Sequence, residues 1–434
     1  MDVSKPIAVS GQRADGRERM YRRIAWRILP LVLLCYTFAY LDRVNIGFAK
    51  LQMSEDIGIS ESVYGLAAGI FFLGYVLFEV PSNLLLTKIG TRKTIVRIMI
   101  LWGLTSAAMM FVTDTTSFIV LRFMLGVFEA GFAPGIILYL TFWFPAARLA
   151  APMALYLLAG PLGSMVGGPV STWIITTFDG TYGLAGWQWM FLLEGIPTVL
   201  LGLVVWKYLV DSPAEARWLS PVEKALIHDD LSRQRAQASN HNFGQVLRDP
   251  RIFALAASFF CLISGIYAVS FWLPTILKDS GIESTQTIGW LSSLPYLAAI
   301  VMMVLLSRRS DRHGERRWHS AVPALVGALA LAVAALTPGT LAVSFPALII
   351  ATACIWGAYA VFWSIPSSYL TGTAAAGGIA LINSIGLLGG FLSPTLIGFI
   401  RDATGKSTAG LLALAVLVVF GGIGIAVNRM PVAK

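Results

Sequence analysis

The chain has 434 residues, 56% of them hydrophobic and 13% charged, with a mean hydropathy of +0.73. A soluble domain of this length has too little interior to bury so much apolar surface, so the composition excludes a water-soluble enzyme or solvated binding module and points to the bilayer as solvent. The net charge of +9 comes from basic residues at the ends of apolar runs and forms no continuous stripe, which argues against a nucleic-acid partner.

Residues 1–25 form a polar tail. The apolar run that follows is span-length, carries charges and leads to no small-residue cleavage site, so the tail is expected to stay attached on the cytoplasmic side. A spanning helix needs about 20 mostly apolar residues. Twelve such stretches are predicted, at 26–48, 61–86, 91–112, 117–141, 148–178, 188–210, 250–277, 286–306, 319–337, 341–370, 375–400 and 408–427. Residues 211–249 are the one long polar stretch and read as a linker. The chain therefore divides into a tail (1–25), a six-helix bundle (26–210), a cytoplasmic linker (211–249) and a second six-helix bundle (250–434).

Lys and Arg resist translocation, so their placement orients the chain. With the termini inside, 24 basic residues flank cytoplasmic span ends, against four on the other side: Lys50, Lys278, Arg401 and Lys406. The reading is a multi-pass protein of the cell inner membrane with both termini cytoplasmic. Cys35, Cys261 and Cys354 fall inside spans without paired spacing, which gives neither a disulfide framework nor a zinc site. The four histidines lie in the linker or between the eighth and ninth spans, away from any metal-ligand or nucleophile spacing. An enzyme is not expected, and no cofactor is expected apart from protons as coupling ion.

The two halves repeat. The first and seventh spans begin 224 residues apart, and the basic turn Thr87-Lys88-Ile89-Gly90-Thr91-Arg92-Lys93 returns at the same offset as Asp311-Arg312-His313-Gly314-Glu315-Arg316-Arg317. Duplicated bundles joined by a linker are the layout of alternating-access transporters, with the substrate site between the halves near the midplane.

An ionisable side chain at a helix centre costs roughly 2.5 to 3.5 kcal/mol or more, so each one requires a partner or a function. Asp42 and Arg43 in the first span, Glu79 in the second, Arg122 and Glu129 in the fourth and Glu194 in the sixth stand out, all in the first half. The interiors of spans seven to twelve offer neutral groups instead, among them Tyr267, Trp363, Asn383 and Ser384. Charge recognition and proton coupling are therefore expected in the first half, with neutral hydrogen bonds and aromatic walls supplied by the second.

Tyr36, Tyr40 and Arg43 follow i, i+4, i+7 spacing and share one helix face. The forked donors of an Arg suit a carboxylate; a permanent structural salt bridge is the alternative. From their depths, Asp42 with Arg122 and Arg43 with Glu129 are the expected pairs, and a buried carboxylate whose Arg is drawn away by an incoming anion takes up a proton. Glu79 and Glu194 sit beside prolines and are read as structural, bonding freed backbone or reaching the interface. The glycine runs at 160–169 and 386–390 are read as sites of close helix packing. There is no phosphate-cradling loop, so ATP hydrolysis is not the expected energy source.

Several further motifs sharpen this: Tyr40-Leu41-Asp42-Arg43-Val44-Asn45, Gly74-Tyr75 with Pro81-Ser82-Asn83, and Arg122 with Gly126 and Glu129. Phe191 to Pro197, Phe271-Trp272-Leu273-Pro274 and Ile382-Asn383-Ser384-Ile385-Gly386 with Gly389-Gly390-Phe391 complete the set. With these, the chain resembles the major facilitator superfamily over nearly its whole length, although Thr87 stands where its signature loop usually has Asp. Within it, the chain is similar to the anion:cation symporter family, which includes permeases for tartrate, phthalate and sugar acids. The resemblance implies an all-α fold of twelve transmembrane helices in two halves. It also implies substrate contact by Arg43 and Asn383, protonation at Asp42 and Glu129, and a place for Arg122 in the same charge network. The candidate substrate-binding set is Arg43, Tyr40, Asn383, Tyr267, Ser384 and Trp363. The expected activity is proton-coupled import of a small organic anion by a lipid-embedded monomer; a sodium-coupled or facilitative carrier or an anion exchanger are the alternatives.

Overall fold

The computed structural model describes the backbone of residues 5–237, 248–369 and 372–428, and the side chains of 16–233, 248–367 and 377–428. Among these residues, twelve helices are long and apolar enough to cross a membrane. The first six are α1 (Gly16–Asp56), α2 (Glu61–Ile89), α3 (Thr91–Phe111), α4 (Thr115–Trp143), α5 (Ala146–Phe178) and α6 (Gly186–Tyr208). The second six are α7 (Pro250–Asp279), α8 (Thr285–His313), α9 (Arg317–Leu336), α10 (Leu341–Ser367), α11 (Gly377–Thr404) and α12 (Thr408–Val427). Each predicted span falls on one of these helices, to within a few residues except where helices run on past the apolar stretch, as α1 and α8 do. The linker contains a helix, Pro221–Gln237; residues 238–247 of the predicted linker, including part of its polar run, lie outside the described residues.

Both halves share a set of helix pairings, α3 against α6 and α9 against α12 among them. Among the described residues the main contacts between the halves are α2 with α11, α5 with α8, and α1 with α7. The repeat read from the sequence has a direct physical counterpart here. Arg43 of α1 and Tyr267 of α7, 224 positions apart, meet across the interface and hydrogen-bond to each other.

The start of α1 and the described part of the linker lie at one end of the bundle, here called proximal. Arg23 pairs with Glu223 of the linker helix at 2.7 Å, Tyr21 donates to Asp230 at 2.9 Å, and Arg27 lies over Trp218. In the first basic turn, Gly90 leads into α3, whose second residue Arg92 donates its backbone N–H to Asp211 at 2.6 Å, so the start of the linker caps that helix. In the second turn Asp311 pairs with Arg316. All three cysteines are buried and free.

The opposite, distal end is closed by charge. Lys50 of α1 meets Glu61 of α2 at 2.9 Å and donates to Thr275 of α7 at 3.3 Å. Arg401 of α11 meets the same Glu61 at 3.0 Å and Asp279 of α7 at 2.5 Å. Lys50 and Arg401 also both lie against the Trp272 ring, at 5.1 and 5.5 Å from its centre. Asp402 accepts from the backbone N–H groups of Glu61 and Ser62, at 3.0 and 2.9 Å, where α2 begins and its amides have no helical partner. Two positions read from the sequence as loop charges are thus buried, Lys50 6% and Arg401 9% exposed.

Candidate functional site

Between the halves lies a small cavity lined from both sides. The first half lines it with Tyr36, Tyr40, Arg43, Phe72, Tyr75 and Ala133, the second with Phe259, Ile263, Tyr267, Tyr359, Asn383 and Leu387. The shared face of Tyr36, Tyr40 and Arg43 on α1 is the face turned to this cavity. Tyr36 packs edge-on to Tyr40 at 5.1 Å and stacks on Tyr156 at 4.3 Å, which holds the α1 rings in place.

Arg43 is 4% exposed. Its Nε donates to Glu129 Oε1 at 2.9 Å, Nη2 donates to the same oxygen, and Nη1 donates to Tyr267 at 3.1 Å. The rings of Tyr40, Phe71 and Tyr75 stand 5.0 to 5.4 Å from its guanidinium carbon. The other oxygen of Glu129 is buried without a hydrogen-bond partner. Arg43 is therefore held through one carboxylate oxygen, and only one of its terminal nitrogens is shared with the second half.

The local fold places Glu129 there. α4 is helical over Thr115–Glu129 and again over Phe132–Trp143, broken at Gly131 with φ of 85°, a conformation in which a Cβ is strained. Upstream, Gly126 lies so close to α2 that a Cβ would come within 1.9 Å of the Phe71 carbonyl oxygen. The close approach at 126 and the break after 129 fix Glu129 against α1 and α2. The predicted Arg43–Glu129 pair is formed.

The predicted Asp42–Arg122 pair is not. Asp42 points into the first half and accepts from Trp102 at 2.8 Å, Ser106 at 3.0 Å, Thr198 at 3.3 Å and Asn45 at 3.4 Å. Arg122 donates Nε to the Ala67 carbonyl at 3.2 Å, and its two terminal nitrogens are buried without hydrogen-bond partners. Depth along the helix gave the level of these groups but not their azimuth: Arg43 and Arg122 lie against the same ring, Phe71, and only Arg43 reaches a carboxylate. Four neutral donors satisfy Asp42 instead.

Asn383 lines the cavity and donates Nδ2 to Glu79 Oε1 at 2.9 Å, so Glu79 bonds a side chain of the other half rather than the backbone expected for it. Glu194 accepts from Asn45 at 2.9 Å and Ser171 at 2.7 Å, not from proline-freed backbone or the interface. Ser384 and Trp363 do not line the cavity. The Trp363 ring packs behind a lining residue, 4.8 Å from Phe259, and Ser384 follows Asn383 on the next azimuth of α11. Sequence reasoning missed Tyr75, Phe72, Phe259 and Leu387. Tyr75 and Glu79 are one turn apart, a spacing that could have put both on the cavity side of α2.

Residues 32–394 match the description of the Major Facilitator Superfamily. The chain is 47% identical to a tartrate transporter of Agrobacterium vitis, over 94% of this chain and 94% of that protein. It is 45% identical to the metabolite transport protein NicT of Pseudomonas putida, over 96% and 95%. Among solved structures, the inward-open xylose transporter XylE from E. coli aligns with a TM-score of 0.75 over 94% of this chain and 97% of that one, at 14% identity, which speaks for the fold alone. Twelve apolar helices in a duplicated arrangement, a polar cavity between the halves and these matches together make the chain a transporter of the Major Facilitator Superfamily.

Proposed function

We propose that this chain imports a small organic carboxylate together with protons by alternating access, from the inner membrane with its proximal end in the cytoplasm. The observation that carries the reading is the Arg43–Glu129 pair on the cavity wall: a caged guanidinium bound to one oxygen of a carboxylate that an incoming carboxylate can replace. Arg offers the planar fork that a carboxylate fits, and the burial of Arg43 means that its desolvation cost is already met by the fold. Glu129, released, would be an unpaired buried anion, which a proton neutralises. The relatives named for tartrate and metabolite transport support a small organic anion. Binding and release need no covalent chemistry, so the protein is read as a carrier acting as a monomer and not as an enzyme, with protons in place of any cofactor.

The test is uptake into proteoliposomes. Labelled tartrate should accumulate under an inward proton gradient; accumulation driven by an imposed sodium gradient, with none from the pH gradient, would refute proton coupling.

A further inference from the structure

Glu79 belongs to the half that holds Arg43, is 4% exposed, and lies one turn beyond the cavity-lining Tyr75 on α2. Its Oε1 accepts the Asn383 amide nitrogen at 2.9 Å, while its own main-chain carbonyl takes Asn83 Nδ2 at 3.0 Å. Its second oxygen is buried and has no hydrogen-bond partner, so the carboxylate is committed to the Asn383 side. Asn383 stands on the cavity wall, in the opposite half from Arg43.

An Asn amide is a donor on one side and an acceptor on the other, and here Glu79 Oε1 takes a donor. With one N–H of its amide held by Glu79, the Asn383 amide is fixed in one orientation, and its carbonyl oxygen is the acceptor it offers to the cavity. A carbonyl accepts from a hydroxyl, whereas it gains nothing from a methylene or an aromatic C–H. We propose that Glu79 is a positioning residue for specificity: by fixing the Asn383 amide, it makes the cavity select carboxylates that carry a hydroxyl over the same acids without one. The inference rests on the reading of Arg43 as the carboxylate anchor, since that anchor sets which end of the substrate reaches Asn383.

The two anchors divide the work. Arg43 binds the group that all candidate acids share, and Asn383 reads the group in which they differ. A site that hydrogen-bonds a substrate hydroxyl discriminates against the analogue lacking it more strongly than an apolar wall discriminates by size.

The experiment measures binding to purified full-length protein by isothermal titration, with malate against succinate and 4-hydroxybenzoate against benzoate as two matched pairs. Wild type should favour the hydroxylated member of a pair by roughly tenfold, the upper range for one hydrogen bond. Glu79→Gln is nearly isosteric but can present either a donor or an acceptor, so the Asn383 amide is free to turn. In that variant the ratio should fall to about twofold or less, while the affinity for the unhydroxylated acid stays as in wild type. Asn383→Ala should lose the same ratio, and adding Glu79→Gln to it should change nothing further, because the first residue acts through the second. A preference undiminished in Glu79→Gln, or an equal loss of affinity for both members of a pair, would overturn the assignment; so would a wild type with no preference. If wild type binds none of the four acids, the carboxylate reading itself fails and this inference falls with it.

Discussion

Replacing Arg43 by Lys tests the anchor most directly, because it keeps the charge and removes the fork. Arg43 makes three donor contacts, two to Glu129 and one to Tyr267, from three different nitrogens, and lies against three aromatic rings. A Lys ammonium sits at one point and cannot reach Glu129 and Tyr267 in the same geometry while also presenting a planar edge to a substrate carboxylate. Hydrogen bonds to charged groups contribute about 1.5 to 3 kcal/mol each. Losing two of them from the bound complex costs about 3 kcal/mol at the lower limit, or roughly a 150-fold rise in Kd for tartrate. Folding should be far less affected, since Lys still neutralises Glu129. Arg43→Ala is the poorer probe: it leaves Glu129 buried without its hydrogen-bonded partner, which typically destabilises by about 3 to 5 kcal/mol and confuses binding with folding. Titration calorimetry of Arg43→Lys, with a melting curve to verify the fold, decides the matter. A Kd within threefold of wild type in a protein of unchanged melting temperature would refute the role of the fork.

Three further outcomes follow from the geometry. Glu129→Gln mimics the protonated carboxyl, so it should retain exchange of internal for external substrate and lose accumulation driven by a pH gradient; full accumulation in that variant would remove Glu129 from coupling and leave Asp42. Glu61→Gln weakens the group shared by Lys50 and Arg401 at the distal end. Spin labels at Thr181 and Glu283 should then report a longer interhalf distance in a larger fraction of molecules, and an unchanged distribution would show that the ion pairs do not hold the end closed. Gly126→Ala places a methyl group 1.9 Å from the Phe71 carbonyl oxygen, so it should lower stability by about 3 kcal/mol through forced separation of α2 and α4, read as a drop in melting temperature and in folded yield.

Most of the fold was legible because the bilayer imposes a length and polarity on each span, and because the basic turns repeat at one offset. The Arg43–Glu129 pair was legible for a related reason: buried charges are few, so depth alone leaves little choice of partner. Asp42 shows where that reasoning stops. Depth offered Arg122, but Trp102, Ser106 and Thr198 take the carboxylate, and neutral donors of that kind are too common in the sequence to be singled out. Glu79 was misjudged because the neighbouring Pro81 suggested a backbone role, whereas its partner lies 304 residues away in α11. Lys50 was counted with the loops although it lies seven residues beyond Arg43, two turns along the same face of α1. That spacing was visible, and burial of the α1 terminus against α7 is what gave it meaning.

The arrangement also bears on how many protons must accompany each substrate. A buried ion pair is a weak source of stability, because the desolvation of both charges offsets their attraction. The Arg43–Glu129 pair is better understood as a site kept ready for exchange: the guanidinium is already stripped of water, and its partner offers one oxygen to it while the other stays unpaired. Under the proposed cycle, a substrate carboxylate that takes the guanidinium leaves the pocket with one more negative charge than before. At ordinary depth in a membrane such a charge costs several kcal/mol. A proton on Glu129 restores the balance, so each displaced carboxylate calls for one proton simply to keep the cavity's charge constant. A substrate with a second carboxylate meets no further guanidinium on the cavity wall, where Asn383 and the tyrosines are neutral. It therefore needs a second proton, on itself or on another buried acid, if its charge is to cross with it. The number of protons per molecule should thus rise by one from benzoate to a dianion such as succinate, which reversal potentials measured in proteoliposomes at fixed substrate gradients would reveal; equal stoichiometry for the two would show that charge balance in the cavity does not set the coupling.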